Sequence, residues 1–474
     1  MDRSVIQLGE WAPDRPVLEN SGATEALNVM AGVNSYRPFR DQVGVGPAAG
    51  FEPSVTRGAA IFQWAGLDSQ AFYGFTSVII HSTGVGGELA DVSNSAGHNG
   101  FPQRVEGAWR FVRFGALVIA VNGLDPPQYY SPGSSTLFAD LAGSPPTGAR
   151  YVVVVRDNVV FGCTTADPSG VAWSDTNNAQ SYTTGAADSQ SFGDGGQVVG
   201  MAGGETLRVF QESAIRLGVP TQYPVTFTFD KVSDTGLLME NSLATHGNKD
   251  FFVSSEGIMM LVNGTEVVPI GAERVNRYFF SHLYNSERFF NVVGAIDPVN
   301  KLYVLGYDAT GADLSGGGVN VLNAALLYNW ETNRWSRAEF GTDWIFTGRD
   351  EDENHTILCA SKCRDDEPVV FLFNGDNLAA RVTTGEIQLT PGRRSFVSGL
   401  RVLCDGGTPT ATLYARNLPT ENATATATVT QNSNGVCPFR SEARFHRAQI
   451  DIAAGATWSH IQGVEPEFRP AGYR

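Results

Sequence analysis

Short hydrophobic runs separated by clusters of Gly, Asn, Asp and Pro recur from Arg57 to about Asn374, and helical periodicity is nearly absent. Such punctuation predicts many short strands joined by tight turns. Self-comparison sharpens the pattern. The segment Phe111 to Ala120 lies 42 residues before Val153 to Gly162, position for position, and each reads as strand, tight turn, strand. A return strand after such a turn recurs at Phe72, Leu117, Val159, Leu207, Phe251, Leu302 and Ile357, with separations of 45, 42, 48, 44, 51 and 55 residues. The blades of four-stranded propellers repeat at roughly 40 to 50 residues. The expected fold is therefore all-β: a β-propeller of six or seven blades, with an irregular β-sandwich as the rival arrangement of the same strands.

The flanks differ. Residues 1–50 carry Pro13, Pro16, Pro38 and Pro47 with few strand runs, and read as an extended arm docked on something else. Residues 51–390 hold the repeats. Residues 391–474 begin with the alternating segment Phe396 to Leu403, pass through a Thr/Ala ladder from Thr410 to Thr430, and continue with Arg444 to Ile452. That alternation predicts a second, smaller β domain, a platform to which both termini contribute.

Composition narrows the classes of function. Only 17% of the 474 residues are charged, Gly numbers 53, and 33 Lys plus Arg against 49 Asp plus Glu leave a net charge of −16. A tight grip on nucleic acid is unexpected at that charge. Few charges and many turn residues suit an assembly component whose surface is covered by neighbours. Five scattered Cys, and an opening without the basic start and apolar run of a secretory signal, indicate synthesis in a reducing cytoplasm. The longest aliphatic stretch, Val152 to Val155, is far shorter than a membrane span, so no membrane spanning is expected.

The search for chemistry returns mostly failed motifs. Asp350 to Asn354 sets oxygens at alternate positions, but His355 and Ser361 occupy the places where a calcium loop needs Gly and Glu. His355, Cys359 and Cys363 are spaced for a helix in what reads as a strand, which would spread them apart. Gly203-Gly204 and Gly316 to Gly318 lack the Lys-Ser/Thr of a phosphate loop. Asp175, Asp188, Asp194, Asp230 and Asp297 could pair as glycosidase carboxylates, but each sits among turn formers, where Asp usually caps its own turn. No catalytic, cofactor-binding or metal-binding residue is assigned, and no enzyme activity is expected. Trp330 and Trp335 read as packing aromatics. Trp11, Tyr36, Arg37 and Phe39, in the Pro-rich arm, are residue types that anchor interfaces; the alternative is that they cover this chain's own β domain.

The order of several segments carries a resemblance. Gly9-Glu10-Trp11-Ala12-Pro13-Asp14, Asn20-Ser21-Gly22-Ala23-Thr24 and Ser35-Tyr36-Arg37-Pro38-Phe39 are followed by Arg110 to Gly115, Asp125-Pro126-Pro127-Gln128-Tyr129, Phe138 to Gly143, Asp297 to Lys301 and Tyr328 to Ser336. In this order, and in length, the chain resembles the tail nozzle, or packaged-DNA stabilisation, proteins of short-tailed phages. The resemblance implies a structural virion protein of the phage tail, made in the host cytoplasm: a hexameric tube below the portal. It also implies a head-to-tail adaptor and tail fibre or tail tip proteins as partners. Double-stranded DNA would pass transiently, and an acidic subunit would let it pass without sticking. Retention would need a gate of loops, for which Asp313 to Asn320 is a candidate. Two other classes remain open at this point, a carbohydrate-active β-propeller enzyme and a receptor-binding tail protein.

Overall fold

The computed structural model describes residues 2–3, 5–16, 20, 22–48, 55–64, 68–84, 86–99, 107–222, 224–284, 291–309, 322–349, 356–362 and 368–472. Strands dominate; among the described residues the helices are Asn276–His282 and the 3-10 turn Glu240–Ser242. Seven antiparallel four-stranded units follow one another. Sheet 1 holds Ala59–Phe62, Gln70–Gly74, Ile79–Thr83 and Ala90–Asp91, and sheet 2 holds Arg110–Phe114, Leu117–Val121, Gln128–Tyr130 and Ala139–Asp140. Sheet 3 holds Tyr151–Val155, Asn158–Gly162, Gly170–Trp173 and Asp188–Ser191; sheet 4 holds Val198–Ala202, Leu207–Gln211, Ile215–Pro220 and Phe227–Ser233. Sheet 5 holds Ala244–His246, Lys249–Ser254, Gly257–Val262 and Glu266–Pro269; sheet 6 holds Val292–Asp297, Leu302–Tyr307, Leu322–Asn329 and Arg334–Thr342. Sheet 7 takes Trp344–Arg349, Thr356–Ser361 and Pro368–Leu372, and completes itself with Val43–Ala48 from near the N-terminus.

The seven positions singled out by spacing, from Phe72 to Ile357, each lie on the second strand of one sheet. The 42-residue repeat is a repeated hairpin. Phe114 pairs with Leu117 and Val155 with Asn158, so each hairpin turns on two residues. Gly115 and Arg156 take the left-handed φ values of 57° and 48° that such turns demand.

Successive sheets are joined by buried apolar contacts. Phe72 and Val118 belong to a cluster between sheets 1 and 2, Ile119 and Phe161 to one between sheets 2 and 3, and Val160 and Val209 to one between sheets 3 and 4. Phe210 and Phe252 join sheets 4 and 5, where the Arg208 guanidinium also meets Asp250 at 2.9 Å in a buried ion pair. The first strand of sheet 7 packs on the first strands of both sheet 6 and sheet 1, so the succession returns to its beginning through packing. Among the described residues no hydrogen-bonded sheet closes on itself.

The termini do not form an arm reaching away from the chain. Asp2–Arg3 and Ile6–Gln7 pair with Ile461–Pro470 in a seven-stranded sheet that also contains Val29–Ala31, Tyr36–Pro38, Ser395–Cys404 and Cys437–Ala443. Ala23–Leu27 lies between the last strand of sheet 6 and Ala380–Thr384, and the ladder continues through Phe445–Ile452 and Thr410–Arg416. The polar, Pro-bearing N-terminal segment finds its order in strands more than 300 residues away along its own chain, through pairs such as Ala26↔Val382. Pro47 is tolerated because its strand is the outermost of sheet 7.

Candidate functional site

The residues at the start of the first strands converge. Arg57 precedes the first strand of sheet 1, Arg110 opens that of sheet 2, and Arg150 precedes that of sheet 3. Glu240 and Asn241 lie just before that of sheet 5, and Asp343 just before that of sheet 7. Of these, Arg110 and Asn241 stand at one mouth of a cavity of about 380 Å³ lined by first-strand residues of all seven sheets, among them Ala60, Phe111, Val153, Met201, Thr245, Ala295 and Ile345. Glycine places Arg110: a side chain at Gly58 or Gly74 would collide with Trp109, whose indole nitrogen donates to the Phe75 carbonyl at 2.8 Å. Gly58 also has a φ of 152°.

The turn Glu240–Ser242 lies across this mouth. Its Glu240 Oε2 accepts from Arg150 at 2.8 Å and from the Tyr151 hydroxyl at 2.6 Å, both of sheet 3. Asn241 Oδ1 accepts from Arg110 of sheet 2 at 2.5 Å. Ser242 Oγ accepts from the Val253 amide of sheet 5 at 2.9 Å, and its carbonyl accepts from Tyr303 of sheet 6 at 2.8 Å. Four sheets thus hold one turn of three buried residues. Burial pushes the Tyr151 hydroxyl well above its usual range, and the neighbouring Glu240 charge pushes the same way. Burial lowers the pKa of Arg57 against the pull of Asp343 and Glu240.

None of this mouth stood out in the sequence. Glu240 sits in a run, Leu237 to Leu243, without a motif; its partner Arg150 lies 90 residues away, and Arg110, the partner of Asn241, lies 131 residues away. The weak signal available was position: Arg150 and Asp343 each stand immediately before the first strand of a sheet.

The residues assigned to an interface lie elsewhere. Trp11 is 1% exposed and meets Tyr278 edge-on at 5.0 Å; Tyr36, also 1% exposed, donates to the Gly9 carbonyl at 2.8 Å. Phe39 packs between Phe340 and Phe373. Arg37 is half-buried, with its charge near Asp297. The three aromatic side chains therefore cover their own chain's core and are not displayed to a neighbour in this fold. Asp175 and Asp297 accept from backbone amides of nearby turn residues, Asp188 accepts from the amide of its strand neighbour Ser189, and Asp194 pairs with Arg216. Trp335 is buried and donates to the Ile270 carbonyl at 2.9 Å. His355, Cys363, the acidic run 350–354 and the loop 313–320 lie outside the described residues. Among the described residues there is no group of three His, Cys, Asp or Glu able to hold a metal, and no helix long and apolar enough to cross a membrane.

No family model matches the chain, and no curated protein matches it. Among solved structures, the chain is similar to the computationally designed Ika8 protein, at 13% identity and a TM-score of 0.37, with 70% of this chain and 99% of that chain covered.

Proposed function

We propose that this protein is the subunit of a ring-shaped conduit in the tail of a short-tailed phage, a tail nozzle that retains packaged DNA and lets it pass on ejection. The seven sheets are read here as the blades of a seven-bladed propeller, with Val43–Ala48 latching the last blade, and the two terminal sheets as the platform. The observation that carries the reading is this pairing of modules together with the sequence resemblance: a circuit of four-stranded sheets joined edge-on, through Ala23–Leu27, to a platform made from both ends of the chain. The axial cavity, at about 380 Å³, admits a small molecule and not a duplex, so a DNA path would have to lie between subunits. Native mass measurement and imaging of the purified chain, alone and with tail components, test the reading. A closed ring of about six copies with a lumen wide enough for duplex DNA supports it; a trimeric stalk would favour a receptor-binding role, and turnover of polysaccharide by a monomer would favour an enzyme.

A further inference from the structure

We propose that a small space beside the axial cavity binds a neutral vicinal diol, as a polyol, a cyclitol or a monosaccharide carries, with Glu240 as acceptor and Arg110 as donor. The Glu240 side chain is only 8% exposed, and its two oxygens are used unequally. Oε2 accepts from Arg150 and from the Tyr151 hydroxyl, whereas Oε1 is buried and meets no hydrogen-bond donor among the described residues. A buried carboxylate oxygen without a donor is costly, so the site calls for one from outside the chain. Glu240 lines a space of about 110 Å³ together with Arg110, Tyr151 and Thr245. That is several-fold the roughly 10–15 Å³ that a single water needs. A carboxylate and a guanidinium facing one small space disfavour an anion and a cation alike. They favour a neutral group that both donates and accepts. Two adjacent hydroxyls do this, the first donating to Glu240 Oε1 and the second accepting from Arg110.

The body of such a ligand has somewhere to go. The small space shares Arg110, Val152, Met201, Leu243 and Thr245 with the axial cavity of about 380 Å³. Residues of the first strands line that cavity, and each first strand is the terminal strand of its sheet. The free edge of such a strand carries N–H and C=O groups that no ladder engages. The walls therefore offer donors and acceptors in alternation. Hydroxyl groups serve both, whereas a carboxylate only accepts and an ammonium only donates. The two volumes suit a body of about four to six carbons. This inference does not rest on the conduit reading: the site stands or falls without bearing on whether copies close into a ring.

The test titrates the full-length protein with erythritol and myo-inositol, and with 1,4-butanediol, which keeps the carbon skeleton of erythritol but has no adjacent hydroxyls. Isothermal titration and Trp fluorescence, to which Trp109 and Trp344 in the cavity wall contribute, are read in parallel. Saturable binding of at least one of the two polyols is expected, with 1,4-butanediol at least tenfold weaker. Glu240→Gln keeps an oxygen for Arg150 and Tyr151 but turns the unmet acceptor into a donor, and should lower polyol affinity at least tenfold. Affinity should stay within twofold of wild type in Arg156→Gln, which alters an exposed guanidinium paired with Glu205 at the other end of the first strand of sheet 3. Should Glu240→Gln fail to fold, the contrast between erythritol and 1,4-butanediol on the wild type decides. A linear response without saturation, as excluded osmolytes give, would overturn the proposal. So would equal binding of 1,4-butanediol, or polyol affinity unchanged in a folded Glu240→Gln.

Discussion

Gly294 stands where the turn Glu240–Ser242 crosses the sixth sheet, and a Cβ there would fall far inside contact distance of the Ser242 carbonyl oxygen. Because that atom is backbone and is held by Tyr303, it cannot swing away cheaply. Gly294→Val is expected to lift the turn from the mouth and destabilise the fold by about 1–3 kcal/mol, the usual cost of overpacking, read as a lowered denaturation midpoint. Tyr151→Phe, which only removes a donor to Glu240, should cost roughly 1–2 kcal/mol. His446 offers a test by pH. It is 2% exposed, neither ring nitrogen has a partner among the described residues, and burial lowers its pKa to about 4. The folded state then binds fewer protons than the unfolded chain between about pH 6.5 and 4, so stability is full above that window and falls as pH drops through it. At about 1.4 kcal/mol per pH unit the loss approaches roughly 3 kcal/mol, and His446→Phe should flatten the difference between denaturation curves at pH 7 and pH 4.5. An identical pH dependence in the variant would show that His446 is not the titrating group.

The elements divide by how local their causes are. Hairpins such as Phe111 to Ala120 were legible because turn and strands lie within ten residues, and the spaced return positions each fall on the second strand of a sheet, where six or seven blades were expected. The N-terminal segment reads as an extended arm docked on something else because strands of two to six residues interrupted by Pro carry almost no local signal; their identity comes from partners such as Phe371, opposite Gly44, and Val464, opposite Ile6. The mouth of the cavity was illegible for the same reason, since Glu240, Arg150 and Arg110 meet only through the circuit of sheets. A chain lacking residues 1–48 should therefore lose more than an accessory. It exposes the edge of Pro368–Leu372, leaves sheet 7 with three strands and removes Ala23–Leu27 from between sheet 6 and Ala380–Thr384. Unpaired edges of this kind invite intermolecular pairing. The truncated protein is expected to aggregate, or to show fast hydrogen exchange in sheets 6 and 7 while sheets 2 to 4 remain protected. Protection in sheet 7 equal to that of the intact chain would mean that Val43–Ala48 is not a latch.

In the whole molecule sheet 6 and the strands Ala23–Leu27, Ala380–Thr384, Phe445–Ile452 and Thr410–Arg416 share one hydrogen-bonded ladder, so a force on the C-terminal strands reaches sheet 6 through backbone bonds rather than through a linker. That continuity suits a wall element in the proposed assembly, whose contacts between copies would use residues other than the buried aromatics of the N-terminal segment. Charge then sets how such copies meet. Each subunit carries −16, and six would carry 6 × −16 = −96, so subunits repel over the distance of a Debye length, about 8–10 Å at physiological salt. Assembly would have to work against that repulsion, and salt would help it. Raising sodium chloride from about 0.05 to 0.5 M, where the Debye length shrinks several-fold, is therefore expected to shift the protein from monomer towards closed rings in mass photometry. Duplex DNA should show the opposite sign if it binds at all, since phosphate contacts weaken as counterions compete. Rings that dissolve as salt rises would mean that oppositely charged patches hold the subunits together, and the acidic excess would then lie on the lumen or the outer wall instead of at the seams. A salt-resistant, sub-micromolar duplex complex would remove the argument that acidity lets DNA pass without sticking.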